Sequence, residues 1–406
     1  MFSRKFRKLS ANDTLFSIIL IINAFVWLFC ASAILREIVD VAALSDYEAL
    51  MVWSVNFCGA TVSILAGAFL VGRFHLRVRF LLFWTLFGTI SSIVPLFMDT
   101  TAVGGVLAVS ALFSVSLGLG LPVCMAEFAD STAVDNRARL GGITLLLMMG
   151  LGALTSSLLT ENIMTSLLLL ACWRGLGLIA FFFTSLDRRN IRKKYDVTFI
   201  SILKQRSFVL YVIPWIMFSL VNYLGVFISV EIHGEEFINL STLIENVLAG
   251  AFAIAGGFLC DIFGRKRITI VGFIMLGVGY AVLGMYPLSL FCWYFYTVID
   301  GIAWGILFVI FITTIWGDLA YGKPSEKYYA LGSLPYLLSS FLSLTIGPFI
   351  ASVMSPYAIF SFVAFFLFLA VIPLMFAPET LPEKKIKERE LKKYIEKAKK
   401  IKEKYD

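Results

Sequence analysis

Twelve apolar stretches run between Phe16 and Phe376, each long enough to cross a lipid bilayer. A helix needs about 20 apolar residues to span roughly 30 Å of hydrocarbon, where its backbone must satisfy its own hydrogen bonds. The stretches fall at 15–36, 48–71, 80–98, 103–127, 140–160, 164–185, 207–230, 238–259, 268–286, 289–316, 329–352 and 356–377. The expected fold class is therefore an all-α membrane protein with twelve transmembrane helices. Composition agrees: charged residues make up 15% of the chain, against about 25% in soluble domains, too few to wet a globule.

The basic residues orient these helices. All but two of the 34 Lys and Arg lie at the termini or in alternate connections, and the exceptions are Arg36 and Arg174. The other connections are acidic, with Glu37, Asp40, Asp46, Glu48, Asp99, Glu161, Glu231, Glu235 and Glu236. Basic loops are retained in the cytoplasm, so both termini are expected there, in a multi-pass protein of the plasma membrane. The net charge of +7 is thus a topology signal plus a tail. It lacks the aromatic platforms and recognition helix of a nucleic-acid binder. No metal or cofactor is expected, because the six cysteines show no ligand spacing and read as small core residues. The two histidines, His75 and His233, fall at opposite membrane faces, and no phosphate-binding loop or nucleophile–base motif is present, which argues against an enzyme or an ATP-driven pump.

The chain also repeats itself. A shift of about 190 positions places Asn56 on Asn246, Ile64 on Ile254 and Gly67 on Gly257, and one more residue of shift places Glu127 on Asp318 and Leu140-Gly141 on Leu331-Gly332. This predicts two pseudo-symmetric six-helix bundles, 15–185 and 207–377. They are joined by a cytoplasmic linker at 186–206 and flanked by a cytoplasmic N-terminus (1–14) and a charged tail (378–406). Parallel repeats of this kind place a transported solute between the halves, near the bilayer midplane.

The segment Gly257-Phe258-Leu259-Cys260-Asp261-Ile262-Phe263-Gly264-Arg265-Lys266-Arg267 resembles the loop signature of the major facilitator superfamily. Its first-half counterpart, Gly67-Ala68-Phe69-Leu70-Val71-Gly72-Arg73-Phe74-His75, keeps the first glycine but has Val71 in place of the aspartate. Glu127 followed by Arg137 and Arg139, Asp318 followed by Lys327, and the ending Pro378-Glu379-Thr380 resemble motifs of the superfamily's sugar porters. The Lys and Ile usage is of a prokaryotic kind. The resemblance implies a secondary transporter working by alternating access, and a cytoplasmic gate built from Gly257, Asp261, Gly264, Arg265, Glu127, Arg137 and Asp318. Arg265 would reach a carboxylate such as Asp318 or Glu127. The bland alternative is that these loops carry topology signal alone.

Charges inside the hydrocarbon are costly and must face the bundle interior. Three qualify: Asp300 in the tenth stretch, Arg174 in the sixth and Glu245 in the eighth. All three are candidates for proton coupling, since burial favours the neutral form of a carboxyl group. The alternative is structural: an Asp300–Arg174 ion pair, with Glu245 solvated in an outer vestibule. Asn23, Trp27, Asn56, Asn222, Tyr223, Asn246, Asp300 and Trp304 complete the expected substrate-binding set, in an otherwise apolar cavity. Hexose porters of the superfamily use glutamines on helices five and seven, and Gln205, in a loop, is the chain's single Gln. The expected partners are therefore a small organic solute other than a hexose, protons in symport, and the lipid bilayer. No nucleic acid is expected, and the protein should be a monomer. A membrane sensor or scaffold that keeps the fold without transporting is the alternative, favoured by the altered first-half signature.

Overall fold

The computed structural model describes residues 10–73, 77–160, 162–186 and 197–381. The basic N-terminus, Phe74-His75 of the first-half loop, Glu161, most of the linker and the charged tail beyond Leu381 lie outside these residues. Among the described residues every regular element is helical.

The first half comprises α1 (Ala11–Val41), α2 (Asp46–Arg73), α3 (Arg77–Ile93), α4 (Val103–Ser131), α5 (Arg137–Ser157) and α6 (Ile163–Leu176). Tighter 3-10 turns extend α3 through Val94–Phe97 and α6 through Gly177–Phe183. The second half comprises α7 (Phe199–Leu203), α8 (Arg206–Val221), α9 (Leu224–Phe263), α10 (Arg265–Met285), α11 (Leu290–Phe308), α12 (Ile315–Leu319), α13 (Ser325–Thr345), α14 (Gly347–Val353) and α15 (Pro356–Phe376). A π-helical turn, Val309–Thr314, joins α11 to α12 into one rod.

Ten helices among the described residues are long and apolar enough to span a membrane, and the chain is a multi-pass membrane protein. Two of the twelve expected stretches are built differently. The seventh stops as α8 at Val221, turns through Asn222 and Tyr223, and resumes in α9 as far as Gly234, whose φ of +79° breaks the rod. The eleventh divides at Ile346 into α13 and α14, and α13 starts on the charged pair Glu326-Lys327. Two of the cysteines are also not core residues: Cys58 and Cys172 are exposed, while the other four are buried. Exposed aliphatic and aromatic side chains such as Phe83, Phe182 and Phe365 are what lipid contact requires.

Packing follows residue size. Within the first half α2 lies along α4, and α1 against α4, α5 and α6; within the second, α10 and α8 lie against α15, and α11 against α9 and α10. Between them, α5 runs along α9 and α13 along α2 and α4. The α5–α9 seam is closest at Gly142, against the backbone of Ala253, and at Gly257, against the carbonyl of Ala138. A side chain at either glycine would wedge these two helices apart, which is how small residues bring membrane helices into contact.

Candidate functional site

On the face where α3, α5 and α10 begin with Arg77, Arg137 and Arg265, two charged clusters tie the halves together. The first is built around the loop signature. Only Gly264 separates α9 from α10, with a φ of +100° that other residues avoid. A Cβ there would strike the Glu379 carboxylate. That carboxylate accepts from the backbone N–H groups of Arg265 (2.8 Å) and Lys266 (3.1 Å), capping the positive end of α10. The Tyr211 hydroxyl donates to the Pro378 carbonyl at 2.8 Å, which fixes the same turn.

The Arg265 side chain is fully buried. It lies 2.9 Å from Asp261 and 3.0 Å from Asp318, and donates further to the carbonyls of Cys260 and Val134. From the first half, Arg137 pairs with the other oxygen of Asp318. Arg139 lies 3.5 Å from Asp261, which also accepts from the Arg139 backbone N–H at 3.0 Å. Charges this deep are tolerated because nearly every donor has an acceptor; removing one member would strand the rest.

The second cluster is centred on Arg77. Its guanidinium lies 3.3 Å from Glu127, 2.9 Å from Asp130 and, across the seam, 3.1 Å from Glu326 on α13. The Ser325 hydroxyl donates to Asp130 at 3.4 Å. Of the expected gate residues, Asp261, Gly264, Arg265, Arg137 and Asp318 therefore meet in this cluster, and Gly257 packs on the seam beside it. Glu127 belongs to the other cluster, where it pairs with Arg77.

Deeper in the membrane the candidates divide by half. Asn23 accepts from Arg174 at 2.8 Å and donates to the Trp173 carbonyl at 2.6 Å. The Arg174 guanidinium lies 4.1 Å over the Trp84 ring and 5.7 Å from that of Trp27, whose indole N–H donates to Ser92 at 2.8 Å. Asn23, Trp27 and Arg174 thus form one closed knot, and the Asp300–Arg174 pair weighed from the sequence is not made.

Asp300 is instead the end of a hydroxyl chain. The Tyr296 hydroxyl donates to Asp300 (3.1 Å) and lies 2.9 Å from the Tyr280 hydroxyl, which donates to the Asn222 carbonyl at 3.4 Å. The Asn222 side chain accepts from Ser339 at 2.7 Å. Glu245 approaches from α9, where Gly301, the residue after Asp300, lets the Glu245 backbone come within 3.0 Å of where a Cβ would stand. Trp304, one turn further along α11, also faces the carboxylate. Tyr223 is buried beside the α8 break. Asn56 is partly exposed and Asn246 exposed, and neither joins these networks.

Between the halves lies a cavity of about 30 Å³, lined by Phe25, Leu121 and Met125 on one side and by Phe311, Trp316 and Tyr329 on the other. A volume of this size holds about one water. The Tyr329 hydroxyl on its wall already donates to the Thr313 carbonyl, and that of Ser333 to the Ala330 carbonyl.

Residues 207–404 match the family model described as Major Facilitator Superfamily. Among solved structures, the human organic anion transporter MFSD10 (TETRAN) is similar at a TM-score of 0.65 and 14% identity, covering 92% of this chain and all of that one. The proton:xylose symporter XylE, bound to 6-bromo-6-deoxy-D-glucose, is similar at 0.63 and 14%, covering 91% and 95%. The second half of the chain thus resembles this superfamily in sequence, and the whole chain shares the fold of these two structures. No curated protein matches its sequence. Both solved neighbours are transporters by description.

Within this fold, sequence reasoning missed Arg77 and the two tyrosines. Counting from the first glycine of the signature put His75 where an arginine belongs. The usable signal was position: Arg77 opens α3 as Arg265 opens α10, 50 and 53 residues before the acids they meet. Tyr296 stands four residues before Asp300, which puts both side chains on one helix face. Tyr280, on another helix, gave no such signal.

Proposed function

We propose that the chain is a secondary active transporter that moves a small organic solute by alternating access. Two six-helix bundles, 15–185 and 207–377, rock about the seam cavity, with both termini cytoplasmic and the protein in the plasma membrane. The observation that carries this reading is the crossed pairing at the basic face. Arg137 of the first half holds Asp318 of the second, and Glu326 of the second holds Arg77 of the first. These pairs close the cytoplasmic side in this state and separate when the bundles rock, a two-state element of the kind such a cycle needs. Asp300 and Glu245 carry the coupling proton. Arg174, enclosed by Asn23 and two tryptophans, has a structural part. The altered first-half signature favoured a sensor, but Arg77 pairs with carboxylates at the start of α3 as Arg265 does at the start of α10, which weakens that alternative.

The test begins with thermal unfolding of the detergent-purified protein against sugars, carboxylates, amines and hydrophobic ions at about pH 5.5 and 7.5. A ligand present at about 100 times its Kd adds roughly 2.7 kcal/mol, which is readily seen. Each stabiliser is then loaded into proteoliposomes. Accumulation that collapses with a proton ionophore is the expected result. Stabilisers that bind but never cross would sink the transport reading in favour of a sensor.

A further inference from the structure

Glu245 and Asp300 are two acids in the membrane interior with no Lys or Arg beside them among the described residues. In this they differ from the acids paired with Arg77, Arg137 and Arg265 at the basic face. Asp300 is 5% exposed and has only neutral partners, Tyr296 and Trp304. Glu245 is partly exposed and sits close enough to Asp300 for the two charges to repel. A second feature of the same place points to a missing ligand. Ser241 lies one turn before Glu245, on the face of α9 that carries Glu245 and Ala249 against α11. It is 5% exposed, and its hydroxyl has no hydrogen-bond partner among the described residues. A buried hydroxyl left without a partner costs free energy unless something else answers it.

The walls beside the acids are aromatic. The Trp304 ring lies 4.8 Å from Phe218 and 4.5 Å from Phe308, and Phe308 lies 5.7 Å from Tyr336. Trp304, Phe308 and Tyr336 are all partly exposed, and Tyr336 stacks on Trp215 with one face. Two carboxylates with Trp304 beside one of them, and the Phe308 and Tyr336 rings continuing from Trp304, attract one chemistry above others: a weakly hydrated cation with an apolar body. A polyol fits poorly, because the seam hydroxyls of Tyr329 and Ser333 have already given their protons to backbone carbonyls.

We propose that the solute is a lipophilic organic cation. Its charged centre sits between Asp300, Glu245 and the Ser241 hydroxyl, and its apolar body lies on the ring faces of Trp304, Phe308 and Tyr336. The assignment rests on the transporter reading for its meaning, but it makes a claim about binding that can fail separately.

The experiment is equilibrium binding to the purified full chain of tetraphenylphosphonium and of tetraphenylborate, ions of nearly the same shape and opposite charge. The expected result is saturable binding of the phosphonium, with the borate weaker by about tenfold or more. Replacing both acids (E245Q with D300N) should lower phosphonium affinity by about tenfold and leave borate unchanged. Trp304→Leu should weaken phosphonium binding several-fold, and Trp304→Phe should restore most of it. Equal binding of the two ions by the unaltered protein overturns the proposal without recourse to any variant. So does an unchanged affinity in a double variant that elutes and melts normally. Proteoliposomes separate the two readings. Phosphonium that binds as described but does not exchange across the bilayer refutes transport and leaves the site standing. Uptake of an anionic or neutral solute without phosphonium binding refutes the site and leaves transport standing.

Discussion

Arg174 in the first half and Asp300 in the second are both charged residues inside apolar helices, yet they keep different company. Arg174 has an amide oxygen at 2.8 Å and a tryptophan face at 4.1 Å, and the knot closes over it. Asp300 has a tyrosine hydroxyl, a tryptophan and a second acid, and no opposite charge among the described residues. A charge whose neighbours already answer it has little left to offer a ligand. One held by neutral donors and a like charge keeps an unmet demand, so the half carrying it is where a proton or a cation would go. The basic face shows a milder form of the same asymmetry. The cluster around Arg265 has kept its loop signature and gained a helix cap from Glu379, while that around Arg77 has lost the signature and kept only the charges.

The comparison is open to attack at several points. The largest effect on stability is expected for Arg265→Ala, which strands Asp261 and Asp318 in the interior. Breaking a buried pair of this kind costs about 3–5 kcal/mol, read as a large drop in the melting temperature in detergent. If the protein melts normally, the cluster is ornamental. Arg174→Ala should follow, at about 2–4 kcal/mol, because it opens a cavity between Trp27 and Trp84 and frees Asn23. Arg174→Met, which fills the space without the charge, should recover most of that loss. A methionine variant as unstable as the alanine one would mean that the first half needs its charge after all. Gly264→Ala should cost about 1–3 kcal/mol, since the positive φ and the Glu379 carboxylate both oppose a side chain. The smallest effect on the melt, under about 1 kcal/mol, is expected for Asp300→Asn, with proton-dependent uptake abolished. An Asp300→Asn protein that loses stability instead of coupling would make the two halves alike.

Much of this was legible in the sequence, and what was not has identifiable causes. Apolar length and the one-sided arginines gave the membrane class. The string from Gly257 to Arg267 marked the turn at Gly264 and the residues that meet around it. The break after Val221 was hidden, because hydrocarbon solvates an uninterrupted apolar run whether it is one helix or two. Asn222 and Tyr223, read as site residues, are the turn itself. Pairings across long separations were beyond reach: Asn23 with Arg174, 151 residues apart, and Arg77 with Glu326, 249 apart, follow from packing rather than spacing. Asn56 and Asn246 showed the reverse failing. They match each other in the repeat, but their side chains sit outside both networks, so symmetry of position did not carry a common role.

The crossed ion pairs have a consequence for how the chain is made. A ribosome delivers Arg137 long before it delivers Asp318, so an inserted first half carries a cation whose carboxylate partner does not yet exist, while Arg77 has Glu127 and Asp130 but still lacks Glu326. Only the last third of synthesis completes both clusters. A chain stalled or cleaved within the linker would therefore present mismatched charges at the membrane surface, the kind of lesion that quality-control proteases recognise. Two separately expressed halves should each be short-lived alone and persist together.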